Sequence, residues 1–122
     1  MEKKIKEVEK IIKYKFKKTS LLEIALTHKS YDNIVNNEKL EFLGDRVLGL
    51  AISSIIYRKF IENNEGDLSK KLSYLVQKNF LYKISINLKI DRYLKFSSKK
   101  NEKMNISILA DSIESLIGAM YL

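Results

Sequence analysis

A chain of 122 residues with 45% apolar side chains can build one hydrophobic core and is too short for several domains. Its 23 Lys and Arg against 15 Asp and Glu leave a net charge of +8, a surface suited to polyanions. Cysteine is absent, which excludes disulfides, thiolate metal sites and thiol nucleophiles; proline is absent too, so nothing obliges a helix to break, and an all-α fold is expected.

The first element spans residues 2–13, where Ile5, Val8, Ile11 and Ile12 recur at helical spacing among charges. Through Lys18 this end carries eight Lys and three Glu, +5 of the total +8. A solvated amphipathic helix is the simpler reading, a dedicated nucleic-acid contact the other. No apolar leader core appears there, and the longest uncharged apolar run, residues 47–57, falls far short of the ~20 needed to span a bilayer. A soluble, cytoplasmic protein without membrane contact is therefore expected.

Ser20 followed by Glu23 reads as a capping box, S-L-L-E, opening a short second helix that runs into Thr27-His28-Lys29-Ser30. After a polar loop, a long third helix is expected over residues 37–61. Residues 63–67 should break it, with Asp67 capping the next helix, LSKKLSYLVQ. A fifth helical stretch follows over residues 79–88, then a charged loop at 95–103 with net +3. The last helix, residues 105–122, contains no Lys or Arg. It ends on Met120-Tyr121-Leu122 with neither a glycine cap nor a polar tail, which points to a fragment of a longer protein.

The informative residues are acids inside the two most apolar helices. Glu38, Glu41 and Asp45 are spaced three and four apart and form one stripe, with Leu40, Leu43, Val47 and Leu50 opposite. That helix is apolar nearly all round, so it should be buried together with its acids. Asp111 and Glu114 repeat the arrangement in the last helix, beside Ser107, Ser115 and Gly118. The small residues there, and Gly44 beside Glu41 and Asp45, would let the two helices approach closely and gather four carboxylates.

Such a cluster cannot stand alone, because each buried unpaired carboxylate costs several kcal/mol and like charges add to it. Basic partners are scarce: the last helix has none, and the third offers only Lys39 and Arg46, the latter turned ~100° from Asp45. Hard divalent cations are the natural remedy, and an all-carboxylate set suits Mg²⁺ or Mn²⁺. The alternative is that the acids cap helices or pair with surface Lys, which Glu38 near a helix start fits as well. A metal-bound acidic cluster on a basic protein implies phosphoryl chemistry, with lysines holding the flanking backbone.

The segment NEKLEFLGDRVLGL resembles the signature of ribonuclease III, Glu-x-x-Glu-Phe-Leu-Gly-Asp followed by an apolar run. The likeness continues in THKSY (27–31), EGDLS (65–69) and SILADSIESLIGAMYL (107–122), in the family's order. It implies an all-α ribonuclease III-type endonuclease domain over residues 1–122, cut short at its C-terminus and without the double-stranded RNA-binding domain that normally follows. The implied activity is Mg²⁺-dependent cleavage of double-stranded RNA to 5′-phosphate and 3′-hydroxyl ends, in rRNA and mRNA maturation, with Mn²⁺ as substitute and no small-molecule organic cofactor. By the resemblance, Glu41, Asp45, Asp111 and Glu114 are the metal-site carboxylates, and Asp45 and Glu114 are closest to the chemical step. Glu38 and Glu65 match accessory acids. Phe42 matches an aromatic that plugs a socket on the partner of a homodimer, although an ordinary core side chain reads equally well.

His28 reads as a hydrogen-bonded structural residue rather than a general base. Tyr74, Tyr82 and Tyr93 read as core or interface, since duplex RNA hides its bases. Arg46 and the Lys71-Leu72 pair depart from the family pattern, and glycines common in the loop before the last helix are missing; none of these touches the four acids. Two other readings remain: a catalytically inactive RNA-binding or scaffold protein on the same fold, expected if a metal-site acid were missing, and a helical interaction module unrelated to RNA, whose binding would not fall steeply with salt.

Overall fold

The computed structural model describes residues 2–97 and 104–122, and six α-helices and a short 3-10 turn account for most of them. They are α1 (Glu2–Ile12), α2 (Thr19–Ala25), α3 (Glu38–Lys59), α4 (Glu65–Val76), α5 (Lys78–Asn87) and α6 (Ile106–Tyr121), with the 3-10 turn at Ile90–Arg92. The expected all-α class holds: among the described residues the only β feature is a single bridge between Thr27 and Lys95. Most of the expected charged loop at 95–103 lies outside the described residues.

The core is built around α6. It is the most apolar helix and is buried on nearly every side, with α3, α5 and α2 packed against it. Two serines tolerate that burial because their hydroxyls donate inward to carbonyls: Ser112 Oγ to Leu109, and Ser115 Oγ to Ala25 at 2.7 Å across to the end of α2. Ile5 and Val8 of α1 close one side of the core with Leu22 and Ile90, as the periodicity of the first element requires. The bridge segment is pinned as well: His28 N donates to Lys95 O at 2.9 Å, Lys95 N to Leu26 O at 2.7 Å, and Asn37 N to Thr27 O at 2.9 Å. These bonds fix the turn that delivers the chain to the start of α3.

Three local expectations are corrected. α2 begins two residues early: Lys18 is the N-cap without a side-chain bond, and Ser20 sits inside the helix, so the S-L-L-E box does not form. α4 begins at Glu65, capped by Asn64, whose side chain accepts from Asp67 N at 2.9 Å while Asp67 accepts from Asn64 N. Asp67 is thus the reciprocal member of the box rather than the cap. α3, finally, is not buried all round. Leu40, Gly44, Leu48 and Ile56 face the core, but Leu50 is 74% exposed, and Phe42, Ile55 and Tyr57 are exposed with it. The helices packed against α3, α6 and α4, leave part of an apolar cylinder uncovered.

α3 crosses α6 with backbones in contact. A Cβ at Gly44 would overlap the Glu114 carbonyl, and one at Gly118 would overlap the Leu40 carbonyl. The expected close approach through small residues is therefore realised, and it sets the acids of α3 directly over those of α6.

Candidate functional site

Glu41, one turn into α3, meets Asp111 and Glu114 on α6. One carboxylate oxygen from each lies within 4.8 Å of the others, the only such trio among the described residues. The geometry follows from the glycine crossing. Gly44 sits on Glu114's own backbone, so the acids either side of it on α3, Glu41 and Asp45, flank the acids of α6. Glu114 is 8% exposed, buried with the core, whereas Glu41 and Asp111 are half-buried at the cleft floor. Two adjoining clefts of about 440 Å³ each share Glu38, Glu41 and Asp111. One continues past His28, Lys29 and Ser107; the other continues past Phe42, Asp45, Lys78 and Glu114.

The electrostatics match the placement. Burial, followed by repulsion from Asp111, Glu38 and Asp45, pushes Glu41 up to about 7 against the pull of Lys78. Glu114 is pushed up to about 8, first by burial, then by a hydrogen bond with Asp45 and by the charges of Asp45, Asp111 and Glu41. Asp111 is raised by burial, with Lys78 and His28 pulling it back. Its Oδ1 is buried with no hydrogen-bond partner; Lys78 Nζ, 3.8 Å away, makes an ion pair but is too far for a hydrogen bond. An orphaned carboxylate oxygen facing two further carboxylates fits a hard divalent cation, for which oxygen donors alone suffice.

Asp45 and Glu38 line the cleft without joining the trio. Asp45 is exposed, and its Oδ2 accepts from Arg46 Nη1 at 2.8 Å. This corrects the expectation that Arg46 points elsewhere. The 100° turn between neighbours separates Cβ atoms, but a guanidinium on a long flexible stem can fold back, and it also lies 4.3 Å over the Phe42 ring. Glu38 is exposed at the first position of α3, where it favours the helix dipole. Glu65 stands on the exposed first turn of α4 and lines neither acidic cleft. Phe42 is 61% exposed, which rules out the core reading.

His28 takes the structural role read for it, since its Nδ1 accepts from Ser30 N at 3.0 Å and meets Ser30 Oγ at 2.7 Å. Among the tyrosines, Tyr93 donates to Glu7 Oε2 at 3.0 Å and Tyr74 stacks at a tilt near Phe80. Lys78 is the residue that sequence reasoning missed. It comes from a helix far along the chain from α3, so no spacing rule reveals it; the available signal was a lysine opening a helix, the unfavourable end of the dipole for a cation.

The sequence pattern of a ribonuclease-III-like family matches residues 18–122. The chain belongs to that family. It is 43% identical to ribonuclease 3 of Pelagibacter ubique, over 95% of this chain and 53% of the relative. It is also 43% identical to ribonuclease 3 of Clostridium tetani, over 97% of this chain and 53% of that one. The chain thus spans about half the length of the curated relatives it matches. Among solved structures it resembles the nuclease domain of ribonuclease III from Campylobacter jejuni, known for flexibility in a region involved in dimer formation, with a TM-score of 0.90 and 41% identity over 96% of this chain and 84% of that one. Dicer from Pichia stipitis is similar at a TM-score of 0.64 and 35% identity, over 84% of this chain and 44% of that one. The fold and family expected from NEKLEFLGD and its companion motifs are borne out. No helix among the described residues is long and apolar enough to cross a membrane.

Proposed function

We propose that the chain is the nuclease domain of a cytoplasmic, Mg²⁺-dependent endoribonuclease. It would hydrolyse phosphodiester bonds of double-stranded RNA to 5′-phosphate and 3′-hydroxyl ends during rRNA and mRNA maturation. The observation that carries the reading is the meeting of Glu41 from α3 with Asp111 and Glu114 from α6, in which Asp111 Oδ1 is buried without a hydrogen bond. Glu41, Asp111 and Glu114 would hold the cation, with Asp45 completing the set once its carboxylate leaves Arg46. Mg²⁺, or Mn²⁺ in its place, would be held by these carboxylates and would supply Lewis-acid charge for phosphodiester hydrolysis.

The chain's own residues do the rest. The glycine crossing fixes Glu114 and Asp111 relative to Glu41, so the ligands arrive preorganised. Glu114, whose carboxyl burial raises to about 8, would take up or release a proton beside the scissile bond, with Asp45 next to it. The net charge of +8 draws duplex RNA by its phosphates. Exposed Phe42 and the apolar side of α3 fit a homodimer in which each copy cuts one strand. No small organic cofactor is required by this chemistry.

The test is incubation with long duplex RNA with and without Mg²⁺, followed by sizing and end analysis. Cleavage should require the cation and vanish in Asp45→Asn and Glu114→Gln, while both variants stay folded and bind RNA. Normal cutting by either variant would refute the assignment.

A further inference from the structure

Lys78 opens α5, where the unpaired backbone N–H groups already make the local potential positive and a cation is disfavoured. The first turn of α5 carries no acid to offset it, and Gln77 provides no side-chain cap. What compensates lies on other helices: Asp111 Oδ1 at 3.8 Å, with Glu41, Asp45 and Glu114 lining the same cleft. The ammonium is also aimed, since Lys78 Nζ donates to Ser107 Oγ at 2.6 Å, one turn of α6 before Asp111. The side chain is 60% exposed, so the charge stands at the mouth of the cleft rather than on its floor. Its single charge cannot balance the acids below it, and it leaves the Asp111 oxygen without a hydrogen bond.

We propose that Lys78 is the resident counter-ion of the carboxylate cluster, tethered by Ser107, and that its ammonium competes with the divalent cation for the acids. It steadies the cation-free fold and weakens cation binding. The inference rests on the reading of Glu41, Asp111 and Glu114 as a cation site, but needs no catalysis for its test. Lys78 acts through the acids and is a positioning residue.

The experiment compares Lys78→Met, Lys78→Arg and Ser107→Ala with the unaltered chain. Each is titrated with Mg²⁺ at about pH 8.5, where proton competition is small, and followed by thermal shift. Removing a positive charge at this distance should tighten Mg²⁺ binding by about tenfold in Lys78→Met, after discounting for a half-exposed ammonium. Lys78→Arg should keep the original midpoint, and Ser107→Ala, which frees the ammonium to swing away, should tighten binding by about twofold. Without cation, Lys78→Met should melt lower than the unaltered chain. An unchanged or weaker Mg²⁺ midpoint in Lys78→Met overturns the proposal, as does a tightening that Lys78→Arg shares. Duplex RNA cleavage by the unaltered chain is scored in parallel: its absence refutes the enzymatic reading and leaves the titration to decide on Lys78.

Discussion

Glu114→Gln should make the cation-free protein more stable above about pH 6, by a margin that grows until about pH 8. In the unfolded chain Glu114 ionises near its ordinary 4.5, whereas in the fold it holds its proton up to about 8. Between those limits the folded state binds more protons than the unfolded one, so stability falls as pH rises from 4.5 to 8 and levels off above. At ~1.4 kcal/mol per decade, ionised Glu114 costs the fold about 5 kcal/mol once the pH passes 8. A glutamine carries no charge but leaves a buried amide short of partners, a penalty of about 2 kcal/mol. The net gain is about 3 kcal/mol, or roughly 10 °C in melting temperature for a chain of this size. Thermal melts in EDTA should therefore coincide for both proteins near about pH 6 and separate near about pH 8.5, and saturating Mg²⁺ should reverse the order because only the native acid binds it. If the variant melts at or below the unaltered protein at alkaline pH without cation, the carboxylates are not confronting one another as described.

Three other changes probe separate parts of the molecule. Gly118→Ala should destabilise the fold by about 3 kcal/mol or more in denaturant titration, because its methyl group meets the rigid Leu40 carbonyl rather than a side chain that can move. Phe42→Ala should cost the folded monomer less than about 1 kcal/mol, since the ring is mostly exposed, yet should shift sedimentation toward monomer if α3 carries the proposed homodimer contact. Lys89 sits at φ 59° just past α5, so Lys89→Gly should raise stability by about 0.5–1 kcal/mol; a fall in the denaturation midpoint would contradict the left-handed cap.

Much of the site was legible because it is local. Glu41 with Asp45, and Asp111 with Glu114, are one turn apart on their helices, and the glycines that let the helices touch lie within a turn of them. Periodicity places such residues on common faces without tertiary knowledge. What escaped depends on rotamers and on distant chain. Arg46 folding onto Asp45 and Phe42 is a side-chain choice that Cβ directions do not determine. Lys78 reaches Asp111 from 33 positions earlier, across a separate helix (111 − 78). The caps expected at Ser20 and Asp67 lie two and three residues from the observed ones, the scale on which competing polar side chains exchange roles at a helix start.

The misjudged burial of α3 has a physical explanation that bears on assembly. Its sequence is apolar nearly all round, and such a helix is expected to be covered on every side. Within one chain α6 covers the side bearing Leu40, Gly44 and Leu48, and α4 packs against it as well. Leu50, Ile55 and Tyr57 nevertheless remain open to water, with Phe42 at one end held under a guanidinium. A lone exposed leucine needs no explanation, but four large apolar side chains along one helix do. The amphipathic α1, by contrast, turns Ile5 and Val8 inward and charges outward, so this chain can pattern a helix for a single interface. On α3 the apolar excess at Phe42, Leu50 and Tyr57, which share one side, fits the homodimer contact proposed above. A second copy of the chain, pairing through it, would bury that surface while leaving Glu41 and Asp111 facing their cleft.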